Sequence, residues 1–428
     1  NKDAALVAFT APESKEWRFS FIKMEYKFVQ NESGGAKVEE EFTPARRWSF
    51  LVGEHENSHT AQSRFAPILQ NDKNPTLKDL EECFDIEKVT KEFFEKYREL
   101  YLKFKDKLDE IVENNQNIKG DFDKKGVDTV EFAKKLLGQI VFLYFLQKKG
   151  WFGVERDKPW GTGPKNYLRK LFNDKGNDKN FFNNVLEPLF YEALALKREC
   201  NFYNAFNCKI PFLNGGLFDP INNYDWVHTD ILLPDCLFSN KEKTAEGDIG
   251  TGILDVFDRY NFTVKEDEPL EREVAVDPEM LGKVFENLLD VKDRKSKGTY
   301  YTPREIVHYM CVQSLVNYLA TELEGKVTKE ECETLIKNGE SVSENEVRVE
   351  DNKKETATYS YKLPENIRNH AKLIDEKLAN IKVCGPAIGS GAFPLGMMAE
   401  IVRTRCVLSS YMESDERRTP YNFKRHCI

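Results

Sequence analysis

The hydrophobic period of this chain changes once, near residue 76, and that change limits the folds open to it. Before it, the runs ALVAF, WRFSFIKMEYKFV and RRWSFLVG are rich in aromatic and β-branched residues. Turn-rich or charged stretches such as NESGGAK separate them, so residues 4–52 read as strands of an antiparallel sheet or part of a mixed one. After it, FDIEKVTKEFFEKYRELYLKFKDKL sets Val89, Phe93, Tyr97, Tyr101, Phe104 and Leu108 on one stripe at helical spacing, with Asp85 as N-cap. Residues 127–150 form a second helical pattern, apolar nearly all round in its C-terminal half, as expected at the centre of a helical domain. More helix is expected over 164–197, and PFLNGGLFDP at 211–220 reads as a glycine turn between apolar anchors.

Further along, DPEMLGKVFENLLD at 277–290 predicts a helix with Leu281, Val284, Phe285, Leu288 and Leu289 inward. Another helix is expected to open at Thr302-Pro303, with Thr as its cap and Pro in its first turn. Residues 322–363 are acidic and hydrophilic and read as a solvent-exposed insertion with a short helix at 328–337. A helix at 364–380 precedes an apolar run, Ile381–Cys384, that enters the glycine-rich turn VCGPAIGSGAFP at 383–394; helix-forming residues follow. Strand, glycine loop and helix in that order suit a nucleotide-like cofactor. The fold class expected is α+β: a small β-rich region at 1–72, a helical domain at 76–240, and at 270–428 the start of a Rossmann-like α/β domain.

Composition excludes several functions. The longest apolar run, IVFLYFLQ at 140–147, is far short of the roughly 20 residues a membrane span needs. No signal-like segment opens the chain, which implies a cytoplasmic setting and no membrane partner. The nine cysteines include no Cys-x-x-Cys pair and the six histidines no H-E-x-x-H, so reduced, individually buried thiols are expected rather than a metal centre. A net charge of −9 makes no case for nucleic acid by itself, although an acidic protein binds DNA where basic residues share a face. Two short basic clusters exist, Arg46-Arg47 and Lys292, Arg294, Lys295, Lys297, each readable as a solvated loop. The chain opens on Asn1 rather than Met, as a piece of a longer protein would.

The glycine loop fails the commoner cofactor patterns at specific positions. A dinucleotide fingerprint requires a third glycine, but Pro394 stands there after Gly389-Ser390-Gly391. A phosphate-cradling Walker loop requires Gly-Lys-Ser/Thr, and the loop has no lysine. What remains is a loop of little side-chain bulk that lets backbone amides approach a ligand, or a tight turn and nothing more.

Three segments read together narrow the choice. PAIGSGAF resembles the S-adenosylmethionine loop of adenine-N6 DNA methyltransferases, D-P-A-x-G-S-G-x-F. Their upstream element G-x-[YF]-[YF]-T-P is matched by Gly298-Thr299-Tyr300-Tyr301-Thr302-Pro303, and their leucine-rich helix by LGKVFENLL at 281–289. LNGGLFD at 213–219 and YFLQKKGW at 144–151 resemble the helical region of the long, single-chain type II (type IIG) restriction-modification enzymes. The resemblance implies that Tyr301, Thr302 and Pro303 lie against the methionine end of S-adenosylmethionine. Pro386, Ala387, Gly389, Ser390, Gly391 and Phe393 would then form the wall beneath it. It further implies a double-stranded DNA partner and methyl transfer to adenine N6 in a specific sequence.

The match departs from the family at two places. Gly385 stands where the family has an acid, and the tetrad [DNS]-P-P-[YFW] that receives the flipped adenine is absent; Asn74-Pro75-Thr76 is the nearest string. No catalytic residue is therefore expected in this chain, and the catalytic and target-recognition regions are expected beyond Ile428. Such enzymes often carry a Mg²⁺-dependent nuclease ahead of the methylase. Glu25 and Lys27, in Glu-Tyr-Lys on an expected strand with Asp3 upstream, are weak candidates for it. Two other readings stay open: a non-catalytic DNA-binding or scaffolding module with a vestigial loop, and a methyltransferase acting on protein or a small molecule.

Overall fold

The computed structural model describes residues 4–12, 14–24, 27–30, 36–39, 45–54, 56–72, 74–176, 178–213, 216–263, 271–276, 302–352, 362–386, 391–412 and 419–427. They belong to two compact units, residues 1–284 and 285–428. The architecture is α+β: a small sheet at the N-terminus, followed by helices.

In the first unit the strands are β1 (Ala4–Thr10), β2 (Trp17–Met24), β3 (Lys27–Gln30), β4 (Ala36–Glu39), β5 (Ala45–Val52), β6 (Phe202–Tyr203), β7 (Cys208–Lys209) and β8 (Glu271–Glu273). A four-stranded sheet runs in the order β1-β2-β5-β8, antiparallel except for the parallel β5–β8 pair. Period-two alternation explains its two faces. Phe19 and Phe21 of β2 pair in register with Phe50 and Trp48 of β5. On that face Phe19 lies 5.4 Å from Phe65 and Phe50 5.1 Å from Phe84, ring centre to ring centre. Phe65 belongs to α1 (His59–Leu69), and Phe84 directly follows α2 (Leu77–Cys83). The opposite face carries Ser20 and Ser49, fully buried, with their hydroxyls 2.8 Å apart. Arg46 and Arg47 lie in β5 and not in a solvated loop; Arg47 sits over the Phe9 ring.

The helical stripe is realised in α3 (Ile86–Asn114), capped by Asp85, which accepts from the Glu87 amide at 2.9 Å. Val89, Phe93, Tyr97, Tyr101, Phe104 and Leu108 are all buried. After α4 (Gln116–Lys125) comes α5 (Thr129–Lys148), whose C-terminal half is buried nearly all round, as its composition demands. Phe93, Tyr97 and Tyr144 of these helices surround Phe257 of the short α7 (Ile253–Phe257), at 5.5, 6.1 and 5.4 Å. Each such ring contributes about 1.5–3 kcal/mol by burial.

Helix over 164–197 is not continuous. α6 (Tyr167–Asp174) ends before Gly176, which is left-handed at φ 80°, and helical structure resumes with the wide turns Phe182–Leu186 and Leu189–Leu194. Between those turns Glu187 is buried; one carboxylate oxygen accepts from the Tyr224 hydroxyl at 2.6 Å. Burial pushes its pKa up to about 8. Asn74-Pro75-Thr76, the nearest string to the missing tetrad, is used as a helix start: Thr76 and Asp79 form a capping box for α2.

The regular secondary structure described in the second unit is all helix: α8 (Arg304–Glu322), α9 (Lys329–Asn352), α10 (Glu365–Asn369), α11 (Ala371–Ala379), α12 (Ala392–Ser409) and α13 (Pro420–Cys427). Three expectations are corrected. Pro303, not Thr302, is the N-cap of α8, and no side chain caps it. Residues 329–352 are not an exposed insertion: Cys332, Leu335, Ile336 and Val342 are buried at helical spacing, and α9 packs on α8 and α12. Its contact side includes Gly339, where an added Cβ would come within 3.2 Å of Val407. Small residues and acidic flanks hide that stripe from a hydropathy reading. Finally, residues 381–384 form no strand; Val383 and Cys384 are exposed, and no described strand in this unit offers them an edge. The Rossmann-like sheet is thus not seen among the described residues. The thiols are all free, but Cys200, Cys236, Cys384 and Cys427 are exposed rather than buried.

Candidate functional site

The glycine loop ends at Gly391, which adopts φ 85°, a left-handed conformation that favours glycine, and serves as N-cap of α12. No side chain caps this 18-residue helix and no acid lies in its first turn. Because Pro394 has no N–H, the amides of Ala392 and Phe393 are the ones this helix start leaves without an intrahelical partner. Upstream, Pro303 opens α8, its carbonyl accepting from the Ile306 and Val307 amides.

α8 and α12 cross closely. A Cβ added at Gly396 would lie 2.9 Å from Val307 Cγ1 and 3.4 Å from Cys311 Sγ. Cys311 Sγ lies 3.8 Å from the Phe393 carbonyl oxygen. Cys311, two turns past Pro303, meets Phe393 in the first turn of α12, while Val307 meets Gly396 and His308 meets Glu400, so the contacts run in opposite directions along the two helices. The start of α8 therefore lies toward Glu400 and not beside Gly391. Burial, with the nearby Glu400 carboxylate as a lesser cause, pushes the Cys311 thiol up to about 11. Thr302, Pro303, Gly391 and Phe393 are half-buried, and Pro386 is exposed. Ile306, Tyr309 and Met310 on α8 and Leu395 on α12 are large apolar side chains left exposed.

Tyr301, Ala387, Gly389 and Ser390 lie outside the described residues, as do Tyr300, the helix expected at 277–290 and the basic cluster 292–297. Gly385 is described and has open space around it: an added Cβ would meet nothing within 4 Å. Of the nuclease candidates, Glu25 and Asp3 lie outside the described residues. Lys27 opens β3, which pairs with β4 in a separate two-stranded ribbon. Among the described residues no group of three or more His, Cys, Asp or Glu is placed to hold a metal ion, and no helix is long and apolar enough to cross a membrane.

Two residues of this region carry a signal that motif reading passes over. Gly396 sits inside a helix, where glycine costs about 1 kcal/mol relative to alanine, and the close approach of Val307 accounts for it. Glu400 is a buried carboxylate that contacts His308, 92 positions away in sequence, and no local pattern reveals such a pair.

Comparison with known proteins gives one informative relative. The chain is 27% identical over 344 residues to a Methanocaldococcus jannaschii protein provisionally named a type II restriction enzyme and methyltransferase. The chain resembles a restriction-modification protein. The aligned part covers 74% of this chain and 26% of the relative, so the chain spans about a quarter of that protein's length. No protein-family model matches the chain, and no solved structure gives a significant match.

Proposed function

We propose that this chain is the N-terminal and cofactor-loop portion of a site-specific adenine-N6 DNA methyltransferase of a restriction-modification or phage-defence system, binding S-adenosylmethionine and double-stranded DNA. The observation that carries this reading is in the sequence: two segments, 298–303 and 386–393, some eighty residues apart, resemble the two cofactor elements of that family in order and spacing. The name of the relative, which covers both restriction and methylation, supports the same reading.

The described residues fit such a cofactor. Gly391 presents bare backbone in a left-handed turn, and the first amides of α12 are free to receive an oxygen of a polar ligand. Pro386 and Phe393 supply rigid apolar surface beside them. Thr302, Pro303, Pro386, Gly391 and Phe393, with Tyr301, Ala387, Gly389 and Ser390, are the residues proposed to hold the cofactor. Bound there, S-adenosylmethionine supplies an electrophilic methyl group. The chain's own contribution is to bind and orient it, since the sequence has no [DNS]-P-P-[YFW] tetrad to receive adenine. Methyl transfer by residues 1–428 alone is therefore not expected. DNA engagement would rest on phosphate contacts and weaken with salt.

Thermal unfolding in the presence of increasing S-adenosylmethionine tests the binding half. A saturable rise in Tm is expected, corresponding to about 2.7 kcal/mol at a hundredfold excess over Kd. No shift at millimolar cofactor would remove the cofactor site from the account.

A further inference from the structure

The end of α5 opens into a surface of the first unit that cofactor binding does not use. After Lys148 the chain turns on Gly150, Gly153 and Gly161, left-handed at φ 67°, 70° and 99°. The Gly150 carbonyl accepts from the amides of Gly161 and Gly163 at 3.0 and 2.9 Å, so backbone bonds close the loop. A Cβ at Gly150 would lie 2.3 Å from the Gly161 carbonyl oxygen, an approach that only glycine permits. Val154 and Lys209 exchange backbone hydrogen bonds at 3.2 and 2.6 Å, which ties the loop to β7.

This rigid loop holds two tryptophans at the surface: Trp151 is 44% exposed and Trp160 39%. Both stand next to the glycines that meet, and both carry a cation over the ring, Lys149 at 5.5 Å and Lys209 at 5.4 Å. Arg156 lies 3.6 Å from the centre of the Phe202 ring in β6, the strand paired with β7. Residues 148–165 hold five basic residues against two acidic ones, in a chain whose net charge is −9. Lys148 and Lys158 are paired with Glu56 and Glu155, and Lys209 donates to the Lys158 carbonyl and braces Trp160. Lys149 and Arg156 are exposed and have no carboxylate partner among the described residues. Exposed rings rimmed by cations suit a polyanion that also presents flat apolar faces, and a nucleic-acid strand with unpaired bases presents both. A closed duplex keeps its base faces stacked and would engage the cations alone.

We propose that residues 148–165, with Lys209, form a contact surface for a DNA strand whose bases are unpaired. Lys149 and Arg156 meet its phosphates, and Trp151 and Trp160 stack on its bases. This rests on the DNA partner in the reading above and not on its cofactor site. Chemistry on a base requires taking it out of the stack, which exposes unpaired bases within a duplex target.

The test follows fluorescence anisotropy of a labelled single strand of about 12 nucleotides titrated with the full chain, between about 50 and 200 mM salt. Trp151→Ala with Trp160→Ala should weaken binding at least about tenfold and leave the salt dependence unchanged. Lys149→Gln with Arg156→Gln should instead flatten the slope of log affinity on log salt by about 0.7 for each charge removed. On the same oligonucleotide annealed to its complement, the tryptophan variant should bind as wild type does. Single-strand affinity that the tryptophan pair leaves unchanged, an equal loss on the duplex, or no binding by wild type at low salt would overturn the proposal. So would a tryptophan variant that only loses self-association, which would make the surface an interface between copies. Titration of S-adenosylmethionine into the same proteins separates the two readings. Cofactor binding in a chain that ignores DNA removes this surface alone; DNA binding in a chain that takes no cofactor leaves the surface standing and removes the cofactor site.

Discussion

The two units spend their large apolar side chains differently. In the first, Phe93, Tyr97, Tyr144, Phe257 and Phe262 close on one another, and a polar group such as Glu187 is buried among partners of the same unit. In the second, aliphatic and sulfur side chains take that place: Val307, Cys311, Leu315 and Leu319 of α8 face inward. Both units leave large apolar side chains exposed, Trp151, Trp160 and Ile249 in the first and Ile306, Tyr309 and Met310 in the second, so exposure alone does not mark a site.

That contrast can be broken from either side. Phe93→Ala removes a fully buried ring and should cost about 4 kcal/mol in denaturant unfolding, while S-adenosylmethionine affinity in the folded protein stays unchanged. A loss of affinity there would end the division between a packing region and a binding region. Gly396→Val should cost about 2 kcal/mol in denaturant unfolding by forcing α8 and α12 apart. An unchanged midpoint would mean that the two helices do not meet at Gly396.

Glu187→Gln sharpens the first side through pH. The folded protein keeps a proton on Glu187 up to about pH 8, whereas the unfolded chain releases it near the ordinary glutamate value of 4.5. Unfolding thus releases a proton between those values, and stability should fall as pH rises through that window and level off above it. The glutamine variant should lose that slope and exceed wild type by at least about 1 kcal/mol at alkaline pH, by thermal unfolding across pH. An unchanged slope would place the titrating group elsewhere. The smallest structural effect is expected from Gly385→Asp, which meets open space and supplies the acid that the proposed reading expects at this position. Stability should be unaffected and affinity should rise about tenfold, as a charged hydrogen bond would give.

Much of this was legible in the sequence where a local period carries the information. The stripe from Val89 to Leu108, its Asp85 cap and the all-round apolar helix at 129–148 follow from spacing alone. Burial of α9 did not, because Cys332 and Gly339 are small and the flanks are acidic, so the packed face has little hydropathy contrast. Residues 381–384 have a strand's composition, but a strand exists only with a neighbour to pair with, and the described residues of this unit provide none. Thr302 matched the helix-cap pattern one residue too early, because Pro303 takes the extended cap conformation itself. The residues of the proposed site rest on motif order alone, while Gly396 and the His308–Glu400 contact emerged only from the crossing.

The central claim is that the segment before α8 and the loop before α12 serve one cofactor. Calorimetric titration of S-adenosylmethionine into wild type, Thr302→Ala, Gly391→Val and the double variant tests it most directly. The account predicts saturable binding in wild type, weaker binding in each single variant, and a double variant whose loss is smaller than the two losses added. Binding that neither substitution changes, or no binding to the wild-type chain, would contradict it.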